Sequence, residues 1–423
     1  MPLDSDFPQD PQPPSRIAWL VVAMLIPVAL LNYLDRQMVA TMKTSIMADV
    51  PGLEDRAQWG FMLGSFKWIY AVLSPFGGYI ADRFGRRLVI GGSLLVWSAV
   101  TMATGFVTDY HGLVATRALM GISEAFYIPA ALALIADYHR GSTRSRAVGV
   151  HQAGIYAGQI IGAYAGHVAD SPALGWRFAF QACGVIGMIY ALPLLLILRD
   201  RPTKPAEEKH REASMFSALG ELLRNRDYRL LVIYFTLPAI AGWVVRDWMP
   251  DILKERFSLT QGNAGVYAVL PVQLASMAGV VLGGWLADMG MRRTDRGRIL
   301  VSAAGMILFL PSLFGVGFSE HLGLAVAFLV LYGIGWGFFD CNNMPILSQI
   351  VPADRRALGY GLMNLVSIST GGFADWGFGA LRDRNIPLTM IFGGFALIAL
   401  ASAAVVLAIR PRRDLAEKPE PAA

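Results

Sequence analysis

Long apolar runs constrain this chain most. About twelve stretches of roughly 18 or more residues are long and apolar enough to cross a hydrocarbon core as helices. They lie near 17–41, 60–81, 88–107, 111–137, 146–168, 178–198, 229–250, 264–287, 299–317, 322–351, 357–380 and 387–409. Several carry Gly and Pro internally, which membrane helices tolerate better than soluble ones. Only 16% of the 423 residues are charged against 55% hydrophobic, too little charge to cover a soluble protein of this length. The expected fold class is an all-α membrane protein of twelve transmembrane helices.

The net charge of +5 does not point to nucleic acid, because the basic residues fill alternate loops. One set holds Arg83, Arg86 and Arg87; Arg140, Arg144 and Arg146; Arg199 through Arg229; Arg292 through Arg298; and Arg355 with Arg356. The loops between hold mainly Lys43, Arg56, Arg177, Lys254, Arg256, Arg382 and Arg384. The positive-inside rule then places both termini and the central loop in the cytoplasm, with the chain in the cell (inner) membrane. Residues 1–15 are Pro-rich and acidic, without the cationic start or cleavage site of a signal peptide. Cys183 and Cys341 fall inside spans, so no disulfide framework is expected. No Cys/His cluster has metal spacing, and no cofactor is expected.

Residues 199–228 interrupt the apolar pattern with Arg201-Pro202-Thr203-Lys204-Pro205 and a charged run, and read as a linker with a helix from Met215 to Leu223. The expected organisation is an N-terminal tail (1–15), a six-helix bundle (16–198), the linker (199–228), a second six-helix bundle (229–409) and a polar tail (410–423). Two echoes make the halves homologous. Gly78-Tyr79-Ile80-Ala81-Asp82 ends one span before Arg83, Gly85, Arg86 and Arg87; Gly284-Trp285-Leu286-Ala287-Asp288 ends another before Arg292, Arg293, Arg296 and Arg298. In the fourth span of each half, Gly121, Glu124 and Pro129 align approximately with Gly337, Asp340 and Pro345, and loops with Asp137 and Asp354 follow. Paired halves in a polytopic protein place a substrate path between them.

The Gly-x-x-x-Asp-Arg-x-Gly-Arg-Arg loop at Gly78, Asp82, Arg83, Gly85, Arg86 and Arg87 resembles the major facilitator superfamily signature, and the likeness runs over nearly the whole chain. Asn32-Tyr33-Leu34-Asp35-Arg36, with Arg117 and Glu124-Ala125, is similar to the anion:cation symporter family of hexuronate and sugar-acid carriers. Spinster-type lipid carriers share a similar Asn-Tyr-x-Asp-Arg start. The chain departs from the symporter pattern at Phe126, where Pro often follows Glu-Ala, and at the acidic Asp340.

A charge in hydrocarbon costs at least ~2.5–3.5 kcal/mol on insertion scales, so each one asks for a reason. Arg117 and Glu124, two turns apart on one helix face, read either as a tunable proton site or as a static ion pair. Asp35 and Arg36 point about 100° apart. The resemblance implies that Arg36 meets an anionic substrate and that Asp35 is a second protonatable site; an interhelical salt bridge is the alternative. Lys67 reads as a cavity residue or as a lysine snorkelling to the interface. Tyr33 and Tyr70 could donate to a polyhydroxylated substrate or serve as packing aromatics. His151, Gln152 and Gln159 form a polar stripe suited to binding or to helix contacts. In the second half Asp340, Asn342, Asn343, Asn364, Ser367 and Thr370 make a polar face without an evident basic partner; Asp340 reads as binding sugar hydroxyls, the favoured role, as carrying a proton, or as receiving a cation from elsewhere. Asp375 reads as structural, and Arg246 with Asp247 as part of an interfacial belt beside Trp243 and Trp248.

The signature loop reads as a cytoplasmic latch whose glycines let helices approach closely and whose Asp82 bridges Arg86 and neighbouring helix ends. No phosphate-binding Gly-x-x-x-x-Gly-Lys-Ser/Thr loop appears, so ATP is not the expected energy source, and no catalytic dyad or metal cluster suggests an enzyme. The expectation is a monomeric, proton-coupled symporter of a small organic anion such as a hexuronate or aldonate. Candidate substrate contacts are Arg36, Tyr33, Tyr70, Gln152, Gln159, Asp340, Asn343 and Asn364. Asp35, Glu124 and Arg117 are candidates for coupling, with no nucleic-acid partner. The alternative is a proton-driven exporter of a lipid or amphiphilic drug.

Overall fold

A computed structural model describes residues 16–139, 142–200, 215–352 and 355–412. The expected N-terminal tail, Arg140, residues 201–214 of the linker, Asp354 and the tail from 413 onward lie outside the described residues. The described chain is helical: α1 (Arg16–Thr41), α2 (Lys43–Asp49), α3 (Arg56–Leu73), α4 (Gly77–Phe84), α5 (Arg86–Thr104), α6 (Tyr110–Glu124), α7 (Tyr127–Tyr138), α8 (Ser142–Ala163), α9 (Ala165–Asp170) and α10 (Gly175–Ile197) form the first half. The linker helix α11 (Met215–Arg224) leads to α12 (Arg226–Phe257), α13 (Gln261–Met291), α14 (Gly297–Phe318), α15 (Leu322–Asp340), α16 (Asn343–Ser348), α17 (Arg356–Asp383) and α18 (Leu388–Leu407). These make twelve crossings in two pseudo-symmetric bundles of six.

Among the described residues, nine crossings meet a simple length and apolarity criterion for spanning a membrane. The three that fall short contain α3, α8 and α17. They carry Lys67, the glutamines of α8, and Asn364 with Asp375. The fourth and tenth crossings break at matching places, α6 ending at Glu124 and α15 at Asp340. Irregular backbone at membrane depth survives where protein or a polar cavity surrounds it. The seventh crossing corrects the sequence boundary near 250: α12 contains Pro238 and Pro250 and continues to Phe257. That extension moves Arg246 from a helix end into the body of the bundle.

The halves meet at the end with few basic loop residues. There the Asp383 carboxylate accepts from the Arg56 and Ala57 backbone N–H groups at 3.1 and 2.8 Å, capping the start of α3 from the other half. Lys43 pairs with Asp251, and Arg56 with Glu255 at 2.5 Å. Asp170 accepts from Gly262 N–H at 2.8 Å. One apolar core runs across this junction through Met42, Ile46, Trp59, Met62, Trp248, Ile252 and Phe378. The α3–α17 seam needs glycine: a Cβ on Gly64 would sit 3.0 Å from the Gly372 carbonyl oxygen.

At the basic end each half packs on itself. Helices α4 and α7 pack with helices of the first half, and α16 with helices of the second. Arg86 pairs with Asp137, reaches Asp82 at 3.4 Å and donates to the Ala133 carbonyl at 3.1 Å. Arg83 contacts the Tyr79 hydroxyl at 3.2 Å, and Arg87 N–H donates to Asp200 at 2.9 Å. Gly85 is required by its φ of +87°. Gly78 corrects the close-approach expectation, since nothing lies within 4 Å of where its Cβ would be. Among the described residues the ion pairs and caps between the halves gather at the end away from the basic loops, which is sealed.

Candidate functional site

Between the halves lies a cavity of about 270 Å³. Its wall is striped helix by helix at three- and four-residue intervals. Tyr33 and Gln37 come from α1; Gln152, Tyr156 and Gln159 from α8; Trp243 and Arg246 from α12; Trp336 and Asp340 from α15; Tyr360, Asn364 and Ser367 from α17. Of the expected substrate contacts, Tyr33, Gln152, Gln159, Asp340 and Asn364 line it. Gln159 also accepts from Gln273 of α13 at 2.7 Å, tying the two halves together in the wall.

Three expected contacts lie elsewhere. Asn343 is 2% exposed and outside the wall, and neither polar atom of its amide has a hydrogen-bond partner among the described residues. Tyr70 is buried, and its ring takes the Arg36 guanidinium at 4.9 Å. Arg36 itself stands behind the wall. Its Nη2 and Nε reach Glu124 Oε2 at 2.7 and 2.8 Å, and its guanidinium lies over the rings of Tyr33 and Phe66 at 4.9 and 4.8 Å. A planar guanidinium held on aromatic faces keeps its fork aimed at the carboxylate.

The pairing of the four N-terminal charges is crossed relative to the sequence expectation. Arg117 does not take Glu124 as its partner. It pairs with Asp35 at 3.6 Å and donates to Thr104 at 3.1 Å, while Thr101 donates to Asp35 at 2.6 Å. Spacing put Arg117 and Glu124 on one face, but α6 terminates at Glu124, and α1 supplies both a cation and a carboxylate to that face. His151 leaves the expected polar stripe as well: it is buried, and its Nε2 lies 2.9 Å from the Tyr127 hydroxyl.

Lys67 does not snorkel. It is 3% exposed and bridges Asp247, at 2.5 Å, and Asp375 of the other half, with its ammonium 4.1 Å from the Trp243 ring centroid. Trp248 donates to the second oxygen of Asp375 at 3.2 Å. Asp375 is thus half of an inter-half lock, beyond the structural role read from sequence.

Arg246 was missed. The interfacial-belt reading followed from ending the helix too early. In the structure its guanidinium lies over Tyr33 and Trp243 at 5.2 and 5.4 Å and faces the cavity. Among the described residues no carboxylate pairs with it, and its Nη2 has no hydrogen-bond partner. Gln37 and Tyr156 were also missed; each lies one turn beyond a residue that was found, Tyr33 and Gln152 respectively. Arg246 also borders a smaller pocket of about 30 Å³ with Arg36, Lys67, Arg117 and Asp247, toward the sealed end. The arrangement can hold an anion near Arg246, hydrogen-bond a polar molecule along its length, and release Arg36 if Glu124 loses its charge.

Comparison with known proteins bears on the family and the fold. The family model described as Major Facilitator Superfamily matches residues 25–374. Protein spinster of Drosophila melanogaster is 28% identical over 84% of this chain, which spans only 60% of that relative's length. The D-galactonate transporter of Escherichia coli is 24% identical over 91% of each chain. The probable galactarate/D-glucarate transporter GudP of Bacillus subtilis is 27% identical, also over 91% of each. A solved bacterial homologue of the human lysosomal transporter Spinster, inward-facing and occupied, superposes with a TM-score of 0.79 at 18% identity, covering 96% of this chain and 100% of its own. With two pseudo-symmetric six-helix bundles around a central cavity and a family match across most of its length, the chain belongs to the Major Facilitator Superfamily of membrane transporters.

Proposed function

We propose that the chain is a proton-coupled symporter that imports a small organic anion, a sugar acid such as a hexuronate or aldonate, by alternating access. The observation that carries this reading is Arg246, a cavity-facing cation with no carboxylate partner among the described residues. It acts as a monomer of two bundles (16–198 and 229–409), joined by the 199–228 linker, in the inner membrane with both termini cytoplasmic. The cavity is then inward-open.

Coupling follows from the Arg36–Glu124 pair. A buried carboxylate deprived of its charge no longer holds a guanidinium, so a proton on Glu124 frees Arg36 to accept the substrate carboxylate. When the proton leaves, Glu124 reclaims Arg36 and the anion loses one of its cations. Proton and anion therefore favour each other's binding, as symport requires. Asp35 is the second proton site, tuned by Arg117. Tyr33, Gln152, Gln159, Asn364 and Asp340 hydrogen-bond the hydroxyls, while Tyr70 positions Arg36. Asp82, Arg83, Arg86 and Arg87 form the cytoplasmic latch of the outward-open state, separated in the inward-open one.

The test is uptake into proteoliposomes of labelled hexuronates, aldonates and neutral sugars, with and without an inward proton gradient. Gradient-dependent accumulation of an acid is the expected result; accumulation of no acid contradicts the reading. The aromatic wall, with Phe235, Trp243, Trp336 and Phe339, favours a second reading, proton-driven export of a lipid or amphiphile. In that case protons and substrate move in opposite directions.

A further inference from the structure

Among the described residues, the cavity wall carries two charged side chains, Arg246 and Asp340. They have opposite signs and sit at different depths. The Arg246 guanidinium lies beside Trp243. Asp340 directly follows Phe339, which stacks on Phe235 at 5.7 Å between ring centroids. From Trp243 to Phe235 is eight residues of α12, or about 12 Å along the helix. Among the described residues Arg246 and Asp340 form no ion pair with each other, so one solute can meet both.

The two ends are unlike beyond those residues as well. Past Arg246, toward the sealed end, the small pocket adds Arg36, Lys67 and Arg117. Around Asp340 the wall offers Tyr156, Tyr360 and Asn364, and no cation. Asp340 is exposed to the cavity interior.

We infer that the site selects monocarboxylates whose far end donates a hydrogen bond, a hydroxyl or an ammonium, and rejects dicarboxylates of the same length, with Asp340 as the specificity-determining residue. The inference rests on the sugar-acid reading above and goes further by excluding the dicarboxylic sugar acids. An aldonate seated with its carboxylate at Arg246 brings a terminal hydroxyl to Asp340, which accepts from it. The matching aldarate brings a second carboxylate to the same place, with no cation to neutralise it and a like charge against it.

The experiment is calorimetric binding to the purified full-length protein of D-galactonate, D-galactarate and 6-amino-6-deoxy-D-galactonate, for the wild type and Asp340→Asn. These probes differ only at C6. The wild type is expected to bind galactonate at least about tenfold more tightly than galactarate, and the 6-amino acid more tightly than either. Asp340→Asn should shrink the galactonate-to-galactarate ratio about fivefold or more, chiefly by improving galactarate. Galactarate binding as tightly as galactonate in the wild type, or an unchanged ratio in a folded Asp340→Asn, overturns the inference while leaving the sugar-acid reading intact. The 6-amino acid needs no variant: weaker binding than galactonate also overturns it. If none of the three acids binds to a protein that melts cooperatively, both the sugar-acid reading and this inference fall.

Discussion

Glu124 and Asp340 occupy matching places in the two halves, each at the last residue of a helix that breaks in mid-crossing, yet their surroundings differ. Glu124 is fully buried and held by Arg36. Asp340 faces the cavity. Duplication gave both halves a carboxylate at the break, but the first half alone surrounds it with arginines, from α1 and α6. A buried, paired carboxylate can turn a proton into a change of partner. A cavity-facing one meets what enters. Position alone does not assign a role to an intramembrane charge; the supply of partners does.

Removing a partner tests this contrast most severely. Arg36→Gln leaves Glu124 buried and uncompensated, a loss of about 3–5 kcal/mol where a buried pair is broken. Transport should fall more than about a hundredfold and the melting temperature should drop. Adding Glu124→Gln should recover the melting temperature but not transport. Asp340→Asn, by contrast, should leave the melting temperature unchanged; an equal drop there would erase the distinction drawn between the two carboxylates.

Lys67→Met comes next, because it removes the first half's cation and leaves Asp247 and Asp375, both of the second half, without their partner at the sealed seam. The sealed end should part. In a background lacking Cys183 and Cys341, a cysteine replacing Leu63, which borders the small pocket, should react about tenfold faster with an impermeant thiol reagent from that side. Unchanged reactivity would mean the triad is not a lock.

Arg246→Gln removes a cation that makes no ion pair among the described residues, so folding should be unaffected. A charge-assisted hydrogen bond contributes about 1.5–3 kcal/mol, and the KM for the acid should rise roughly ten- to a hundredfold in transport assays. The smallest effect belongs to the signature loop. Asp82 is 43% exposed at its side chain and reaches Arg86 within its own half. Asp82→Asn should slow turnover a few-fold with affinity within about twofold; a large affinity loss at normal turnover contradicts the latch.

The architecture was legible because it is written in long-range patterns: apolar runs, alternating basic loops and two repeated motifs. The cavity was half legible. Tyr33, Gln152, Gln159, Asp340 and Asn364 stood out as polar residues on apolar helices. What spacing could not give was partnership between helices. Arg117 and Glu124 share a face, but α1 brings Arg36 and Asp35 onto that face and takes both of them. Lys67 read equally well as snorkelling because its two carboxylates come from crossings 180 and 308 residues away. Arg246 was misread for a local reason. Pro250 and the tryptophans look like a helix end, and only the continuation of α12 to Phe257 places Arg246 inside.

The central claim is that a proton on Glu124 and a substrate anion on Arg36 bind together. The most direct measurement compares wild type and Glu124→Gln in proteoliposomes, by gradient-driven accumulation of the transported acid and by counterflow exchange without a gradient. A permanently neutral residue 124 leaves Arg36 free for the anion, so exchange should persist while accumulation is lost. Accumulation at the wild-type level in Glu124→Gln would contradict the account, because Asp35 would then carry the coupling proton without Glu124.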